Sequence, residues 1–188
     1  MDLVKNTVFT AIDFESAGTA SGKTDAPIQI ATCQWSLDQG YHELWTSYIF
    51  TDQSITWSAQ KVHGITKGDL RNAPILSSLW PQIQGALANK VVVAHGHGTE
   101  KRFLRAFPYH GFGPWLDTIT LSKKAYPDLE SYALGDICES LNLTKKVKAL
   151  VAEKSWHDAL FDSVASLVIL ENIINEFDLT EKYIEDIL

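Results

Sequence analysis

Residues 8–15, Val-Phe-Thr-Ala-Ile-Asp-Phe-Glu, combine a run of β-forming residues with two carboxylates near its end. The run predicts a strand. Because side chains alternate between the two faces of a strand, Asp13 and Glu15 would lie side by side on one face. Two close carboxylates repel each other, and a divalent cation of the Mg²⁺ or Mn²⁺ type would remove that repulsion. An Asp-x-Glu pair also occurs among solvated loop acids, so the pair alone leaves both interpretations open.

The segments that follow this strand predict an α/β fold. Residues 28–37 and 41–50 are β-rich runs joined by the turn signal Asp38-Gln39-Gly40, which indicates a hairpin. Further along we expect a helix after Pro74, a buried strand over 91–94, a helix from near Thr99, a short strand over 115–121, a helix capped by Ser131, and a long helix bearing apolar residues from 160 to 174. Three strands followed by alternating helices and strands indicate a mixed sheet.

The composition is typical of one soluble globular domain. Hydrophobic residues make up 45% and charged residues 21% of the 188 residues, so the chain can bury its own core. No apolar stretch approaches the roughly 18 residues of a membrane span, and the first residues lack the layout of a secretory signal. Two cysteines are too few for a disulfide framework and suit a reducing cytoplasm. We therefore expect a single cytoplasmic domain over 1–188, with no membrane partner.

The net charge of −7 is unevenly distributed. Residues 100–154 hold nine basic and seven acidic side chains, whereas residues 155–188 hold one basic and eight acidic ones. An acidic C-terminal segment can thus mask a locally positive face that would suit a nucleic acid. A solvated acidic helix explains the same numbers, so charge does not decide between these interpretations.

A second group of ionisable residues lies in Ser-Trp-His-Asp-Ala-Leu-Phe-Asp, residues 155–162. His157 and Asp162 can converge only if His157 lies in the loop before a helix and Asp162 lies one turn inside it. A loop histidine beside a helix carboxylate is a candidate general base. Acids at a helix N-terminus also favour the helix dipole, which explains Asp158 better than Asp162.

The third group is Val-Val-Val-Ala-His-Gly-His-Gly-Thr-Glu, residues 91–100. A buried strand that ends in glycines and leads into a helix is where ligands bind in α/β sheets, and Glu100 would lie in the first helical turn. His95 and His97 could instead form a zinc pair of the amidohydrolase kind, although those barrels need about 250 residues. The Gly-His-Gly turn could also hold a phosphate, but lone glycine loops are weak evidence.

The order of these groups resembles the DEDDh (DnaQ-like) 3′→5′ exonucleases, the family of the proofreading epsilon subunit of bacterial replicative polymerase. The motifs that carry the resemblance are Asp13-Phe14-Glu15-Ser16, Val62-His63-Gly64-Ile65-Thr66, Ala94-His95 with Glu100, Asp117-Thr118-Ile119-Thr120-Leu121, Leu129-Glu130-Ser131-Tyr132-Ala133-Leu134, and His157 with Asp162. The resemblance covers about residues 7–176 and leaves an acidic C-terminal helical tail over 177–188. One motif departs from the family, which usually has Ala-His-Asn-x-x-Phe-Asp where this chain has Ala94-His95-Gly96-His97-Gly98-Thr99-Glu100.

The resemblance implies a ribonuclease-H-like α/β fold, with a five-stranded mixed sheet flanked by helices. It further implies that two divalent cations, Mg²⁺ or Mn²⁺, are held by Asp13, Glu15 and Asp162, with Glu100 completing the second site. His157 would be the general base, and Phe14 and His63 would touch the terminal nucleotide.

The implied activity is hydrolysis of nucleic acid from a free 3′ end to nucleoside 5′-monophosphates, with single-stranded DNA favoured over RNA and any polymerase partner unspecified. The lysines before the His157 loop could contact backbone phosphates: Lys145, Lys146, Lys148 and Lys154. The alternative function is a binding module of the same fold with a weakened catalytic site.

Overall fold

The structure, a computed structural model, describes residues 2–19 and 24–188. Its strands are β1 (Phe9–Ser16), β2 (Pro27–Ser36), β3 (Gly40–Tyr48), β4 (Val91–Ala94) and β5 (Trp115–Asp117). Its helices are α1 (Trp57–His63), α2 (Lys67–Leu70), α3 (Trp80–Leu87), α4 (Gly98–Leu104), α5 (Thr118–Ala125), α6 (Leu134–Ser140), α7 (Thr144–Leu150) and α8 (Ala159–Glu176). Short 3₁₀ turns lie at Val4–Asn6, Leu76–Leu79, Leu179–Glu181 and Ile184–Asp186.

The five strands form one mixed sheet in the order β3-β2-β1-β4-β5. The pairs β1–β2 and β2–β3 are antiparallel, whereas β1–β4 and β4–β5 are parallel. The α/β class and the five-stranded mixed sheet predicted from the sequence are thus confirmed. Because β1, β4 and β5 run in the same direction, their carboxyl ends meet at one edge of the sheet, where Ala94 is paired with Asp117.

Strand β1 separates two apolar clusters on opposite faces of the sheet. Ala11 lies in the cluster that contains α8, and Phe14 lies in the cluster built with α3 and α4. Asp13 and Glu15 have the same parity as Ala11, so both carboxylates face the α8 side. The long apolar helix α8 therefore covers the face of the sheet that carries the acids.

The predicted strand over 115–121 is wrong beyond Asp117. Residues Thr118–Ala125 form α5 instead. The reason is local, because Asp117 Oδ1 accepts a hydrogen bond from the Ile119 N–H at 2.9 Å and caps the new helix. The edge strand therefore has only three residues.

The prediction that Ser131 caps a helix is also wrong. Helix α6 begins at Leu134, and its N-cap is Ala133, without a side-chain cap. Ser131 Oγ instead donates to Asp136 Oδ2 at 2.5 Å and accepts from the Ala133 N–H at 3.2 Å. The hydroxyl thus stabilises the turn that precedes the helix.

The C-terminal residues 177–188 pack against the start of the chain. The Val4 N–H donates to the Lys182 carbonyl at 2.9 Å, and Ile184 and Ile187 are buried. None of the helices in the described part of the chain has the length and apolar character needed to cross a membrane.

Candidate active site

Four carboxylates lie near the carboxyl edge of the sheet. Asp13 and Glu15 come from β1, Glu100 lies in the first turn of α4, and Asp162 lies in the first turn of α8. Burial raises the pKa of Asp13 well above its usual value, and repulsion by Asp162, Glu100 and Glu15 raises it further. Burial, together with repulsion by Asp162 and Asp158, raises the pKa of Glu15 to about 8. The acids are therefore close enough to oppose one another's ionisation.

His157 lies in the loop before α8, as its convergence with Asp162 requires. Its backbone is left-handed (φ 67°), and its N–H donates to Asp162 Oδ2 at 3.2 Å. Ligand atoms of Glu15, His157 and Asp162 all lie within 4.8 Å of one another. The geometry predicted for this pair is confirmed, and the imidazole is exposed beside the carboxylates.

Two carboxylate oxygens at this edge are buried with no hydrogen-bond partner among the described residues. They are Glu100 Oε2 and Asp162 Oδ1. Glu100 is only 5% exposed, and burial raises its pKa to about 7. Burial also raises the pKa of Asp162 to about 7, although the hydrogen bond from His157 opposes this shift. Leaving such oxygens unpaired costs free energy, and a divalent cation would satisfy them, so these residues fit a hard-metal site.

A family model described as Exonuclease matches residues 10–170 of this chain, nearly its whole length. The chain belongs to the exonuclease family. It is 24% identical over 174 residues to the DNA polymerase III subunit epsilon of Aquifex aeolicus, covering 89% of this chain and 81% of that protein. It is 29% identical over 147 residues to the PolC-type DNA polymerase III of Thermotoga petrophila, covering 74% of this chain. The chain spans only about a tenth of the length of that polymerase, of which 10% is covered.

Solved structures show the same fold. Exonuclease X in complex with 5′-overhanging duplex DNA matches with a TM-score of 0.74 at 21% identity, over 95% of this chain and 98% of that one. The nuclease domain of 3′hExo, a DEDDh family member bound to rAMP, matches with a TM-score of 0.72 at 15% identity, over 93% of this chain and 94% of that one. The resemblance to DEDDh exonucleases is thereby confirmed for the fold.

In this exonuclease-family chain, the start of α8 is anchored by a polar network that the sequence analysis missed. Asp158 Oδ1 caps the helix by accepting from the Leu160 N–H at 3.0 Å. Asp158 Oδ2 accepts from Gln29 Nε2 at 3.0 Å and Lys154 Nζ at 2.9 Å. Gln29 Oε1 in turn accepts from the Ala159 N–H at 3.1 Å, which ties α8 to β2. The sequence did contain a signal for this network, namely Gln29 within an apolar strand, because a buried polar side chain needs a hydrogen-bond partner.

His63 joins α1 to the end of β1. Its Nδ1 accepts from the Ile65 N–H at 3.0 Å, so Nε2 carries the proton and donates to the Ser16 carbonyl at 3.2 Å. Burial lowers the pKa of His63, the hydrogen bond to Ser16 opposes that shift, and the nearby His157 adds to it. Both ring nitrogens are used within the protein, so a nucleotide contact by His63 would come from the ring face.

The Phe14 ring lies on the opposite face of β1 from the acids. It is 6% exposed and packs edge-on against Phe103, with 5.3 Å between the ring centroids. The ring is thus a core side chain that helps to hold α4 against the sheet. The backbone of Phe14 is the part of the residue that lies between the two carboxylates along β1.

The proposed zinc pair does not converge among the described residues. His95 Nε2 donates to the Tyr132 carbonyl at 2.9 Å, and His95 Nδ1 lies 2.9 Å from Thr118 Oγ1. His97 Nε2 instead lies 3.2 Å from Lys101 Nζ. His95 is therefore a structural residue that joins β4 to the turn before α6.

The lysines before the His157 loop differ in their availability for phosphates. Lys146 Nζ pairs with Glu171 at 2.5 Å, and Lys154 pairs with Asp158 as described above. Lys145 instead lines a groove of about 750 Å³ that runs from His157 and Asp162 past Trp156. Of Lys145, Lys146 and Lys154, Lys145 is therefore the one that lies at the rim of the site.

Proposed function

We propose that the chain is a 3′→5′ exonuclease that hydrolyses nucleic acid to nucleoside 5′-monophosphates with two divalent cations, Mg²⁺ or Mn²⁺. The observation that carries the proposal is the cluster of Glu15, Asp162 and an exposed His157, whose ligand atoms lie within 4.8 Å of one another, with Asp13 and Glu100 close enough for Glu100 to add to the repulsion at Asp13. Two buried oxygens in this set lack partners in the described chain, and Asp13 and Glu15 resist ionisation together. Cations would compensate both costs.

Each residue has a role that its position supports. Bound cations would supply an activated water and charge stabilisation for the leaving 3′-oxygen. The four carboxylates would hold them, with Glu100 in the place that usually belongs to an aspartate. His157 would take the proton of the water, because its ring is exposed and lies within 4.8 Å of the ligand atoms of Glu15 and Asp162. The hydrogen bond from the His157 N–H to Asp162 would hold that loop in place.

We propose nucleic acid with a free 3′ end as the substrate, single-stranded DNA first and RNA second. Two relatives are DNA polymerase III proteins and exonuclease X was solved with duplex DNA, which favours DNA, whereas the 3′hExo nuclease domain was solved with rAMP, which keeps RNA as the second substrate. A cytoplasmic location stays a prediction, based on the buried and unpaired Cys33 and Cys138.

The proposal is tested by incubating 5′-labelled DNA and RNA oligonucleotides with the protein in Mg²⁺ or Mn²⁺, and in chelator. A ladder of products that shortens with time is expected only with metal. An Asp162→Asn variant should give no ladder, whereas the exposed, remote Glu185→Gln should match the wild type. Release of the label as a mononucleotide would mean the opposite polarity and would contradict the proposal.

A binding module of the same fold is the second candidate, because the second motif lacks the usual asparagine and aromatic residue at Gly96 and Thr99. Such a module would bind the labelled strands without shortening them in either metal. The same assay, read by native gel alongside the ladder, separates the two functions.

A further inference from the structure

The outer side of α4 carries a basic and aromatic surface that the proposed catalytic site does not use. From Lys101 to Leu116 the sequence contains no acidic residue, although the chain has a net charge of −7. We use the term α4 basic surface for the residues of this segment on the outer side of α4, with His97 from the preceding turn added. It consists of His97, Lys101, Arg105, His110 and Trp115.

Close contacts organise this surface. Lys101 Nζ lies 5.0 Å from the centre of the Trp115 ring and 3.2 Å from His97 Nε2. The His97 ring stands edge-on to the same indole, with 5.7 Å between the ring centroids. The indole N–H of Trp115 donates to the Phe112 carbonyl at 2.8 Å, which fixes the orientation of the ring. A cation is therefore held against an aromatic ring at a defined position.

A cavity of about 260 Å³ opens beside these residues. It is lined by Lys101, Leu104, Arg105, His110, Phe112 and Trp115, none of which is acidic. Neither Lys101 nor Arg105 forms an ion pair with a carboxylate in the part of the chain that is described, whereas the neighbouring Arg102 pairs with Asp25 at 3.2 Å. Two positive charges at this cavity thus have no carboxylate partner among residues 2–19 and 24–188.

The cations of the α4 basic surface begin one residue after Glu100 of the proposed active site, in the same helix. Lys101 directly follows Glu100 in α4, and Arg105 caps the end of the same helix. Four residues of helix correspond to about 6 Å along its axis, so the two cations are spaced along a path that leads away from the carboxylates. The larger groove next to His157 is less suited to phosphates, since Asp136 and Glu139 are among its lining residues.

We propose that the α4 basic surface binds backbone phosphates of a single-stranded nucleic acid whose 3′ end lies at the carboxylates. This inference rests on the proposed function and deepens it by assigning the path of the strand. Surfaces that bind single strands without sequence preference combine cations for the phosphates with aromatic rings for the bases. Lys101, Arg105 and Trp115 provide both.

The test is the binding of a fluorescent 20-nucleotide single strand, measured by anisotropy in chelator at several salt concentrations. A plot of log K against log salt falls by about 0.7 per phosphate contact for single strands. The slope of the double variant Lys101→Gln/Arg105→Gln should therefore be less negative than that of the wild type by about 1.4. We expect its affinity at low salt to fall roughly 10-fold. The charge-conserving Lys101→Arg/Arg105→Lys and the remote Lys182→Gln should keep the wild-type slope.

The outcomes separate this inference from the proposed function. Because binding is measured without metal, it does not depend on hydrolysis, and a protein that binds through this surface but never shortens a strand would contradict only the proposed function. An unchanged slope in the double variant would overturn the inference. That result is also the one expected if the surface binds an acidic protein instead of a nucleic acid. In an active enzyme, the double variant should raise KM for the 20-nucleotide strand and leave the turnover of a dinucleotide unchanged.

Discussion

Replacing Glu15 by glutamine should stabilise the metal-free protein at alkaline pH while weakening the stabilisation that metal binding adds. Glutamine keeps the shape of the side chain but carries no charge. In the wild type, burial first and repulsion by Asp162 and Asp158 second raise the pKa of Glu15 from 4.5 to about 8. The folded protein therefore resists the ionisation of Glu15, and the variant removes that resistance.

The sign and size of the effect follow from proton linkage. Between about pH 4.5 and pH 8 the folded protein keeps a proton on Glu15 that the unfolded chain has released, so the free energy of unfolding falls as pH rises through this window. If the whole shift acted on stability, it would correspond to about 5 kcal/mol. Because Glu15 is partly exposed and water screens its charge, we expect the glutamine variant to be more stable by ~1–3 kcal/mol above the window.

The assay is urea unfolding in chelator at about pH 5 and about pH 8.5, on either side of most of this window. Wild type and Glu15→Gln should differ little at the lower pH and diverge at the higher one, while the exposed Glu185→Gln should follow the wild type at both. Adding Mn²⁺ at the higher pH should stabilise the wild type far more than Glu15→Gln, because binding to the folded state adds to its stability. A wild type whose metal-free stability rises steadily up to the higher pH would refute the reasoning.

Three further predictions concern the other site residues. Asp13→Ala should abolish nuclease activity while leaving the metal-free protein as stable or slightly more stable, since one repelling carboxylate is removed; marked thermal destabilisation would make Asp13 a structural partner instead. His157→Asn, which tolerates the left-handed backbone, should keep Mn²⁺ affinity and lower turnover near neutral pH by about 10²–10⁴-fold; a parallel loss of affinity would make His157 a ligand. Glu100→Asp should impair turnover because its carboxylate is about one bond shorter, and Glu100→Gln should lose most activity; an unchanged rate in Glu100→Gln would contradict the assignment of the second motif.

The sequence predicted best the elements that bury most of their residues, because their apolar pattern is compatible with only one type of secondary structure. Strand β4 has four consecutive buried residues and was predicted with its observed bounds. Helix α8 buries twelve of its residues, and its apolar spacing was clear in the sequence. Helices α1 and α7 were missed because α1 buries no residue and α7 buries only Val147, so neither carries an apolar stripe.

The placement of Glu15, His157 and Asp162 close together could be predicted because motif order reports which strand ends and helix starts converge. What could not be predicted is the bonding that fixes those positions. The link from Gln29 to Asp158 joins residues 129 positions apart, and no local pattern indicates such a pairing. Likewise, a His-x-His spacing is the same whether the rings converge on a metal or, as here, turn to separate partners.

The departures in the second motif are linked through the turn that precedes α4. Gly96 has a left-handed backbone (φ 81°), and its N–H donates to Asp117 Oδ1 at 3.0 Å, the same oxygen that caps α5. A Cβ at this position would lie 3.1 Å from Ile119 Cδ1, so a larger residue would be strained by the left-handed backbone and would need the Ile119 side chain to shift by a few tenths of an ångström. This turn sets where α4 begins, and therefore how far the residue at position 100 must reach to the sheet edge. The longer glutamate and the glycine turn thus form one unit, which is why restoring aspartate alone should impair the site rather than repair it.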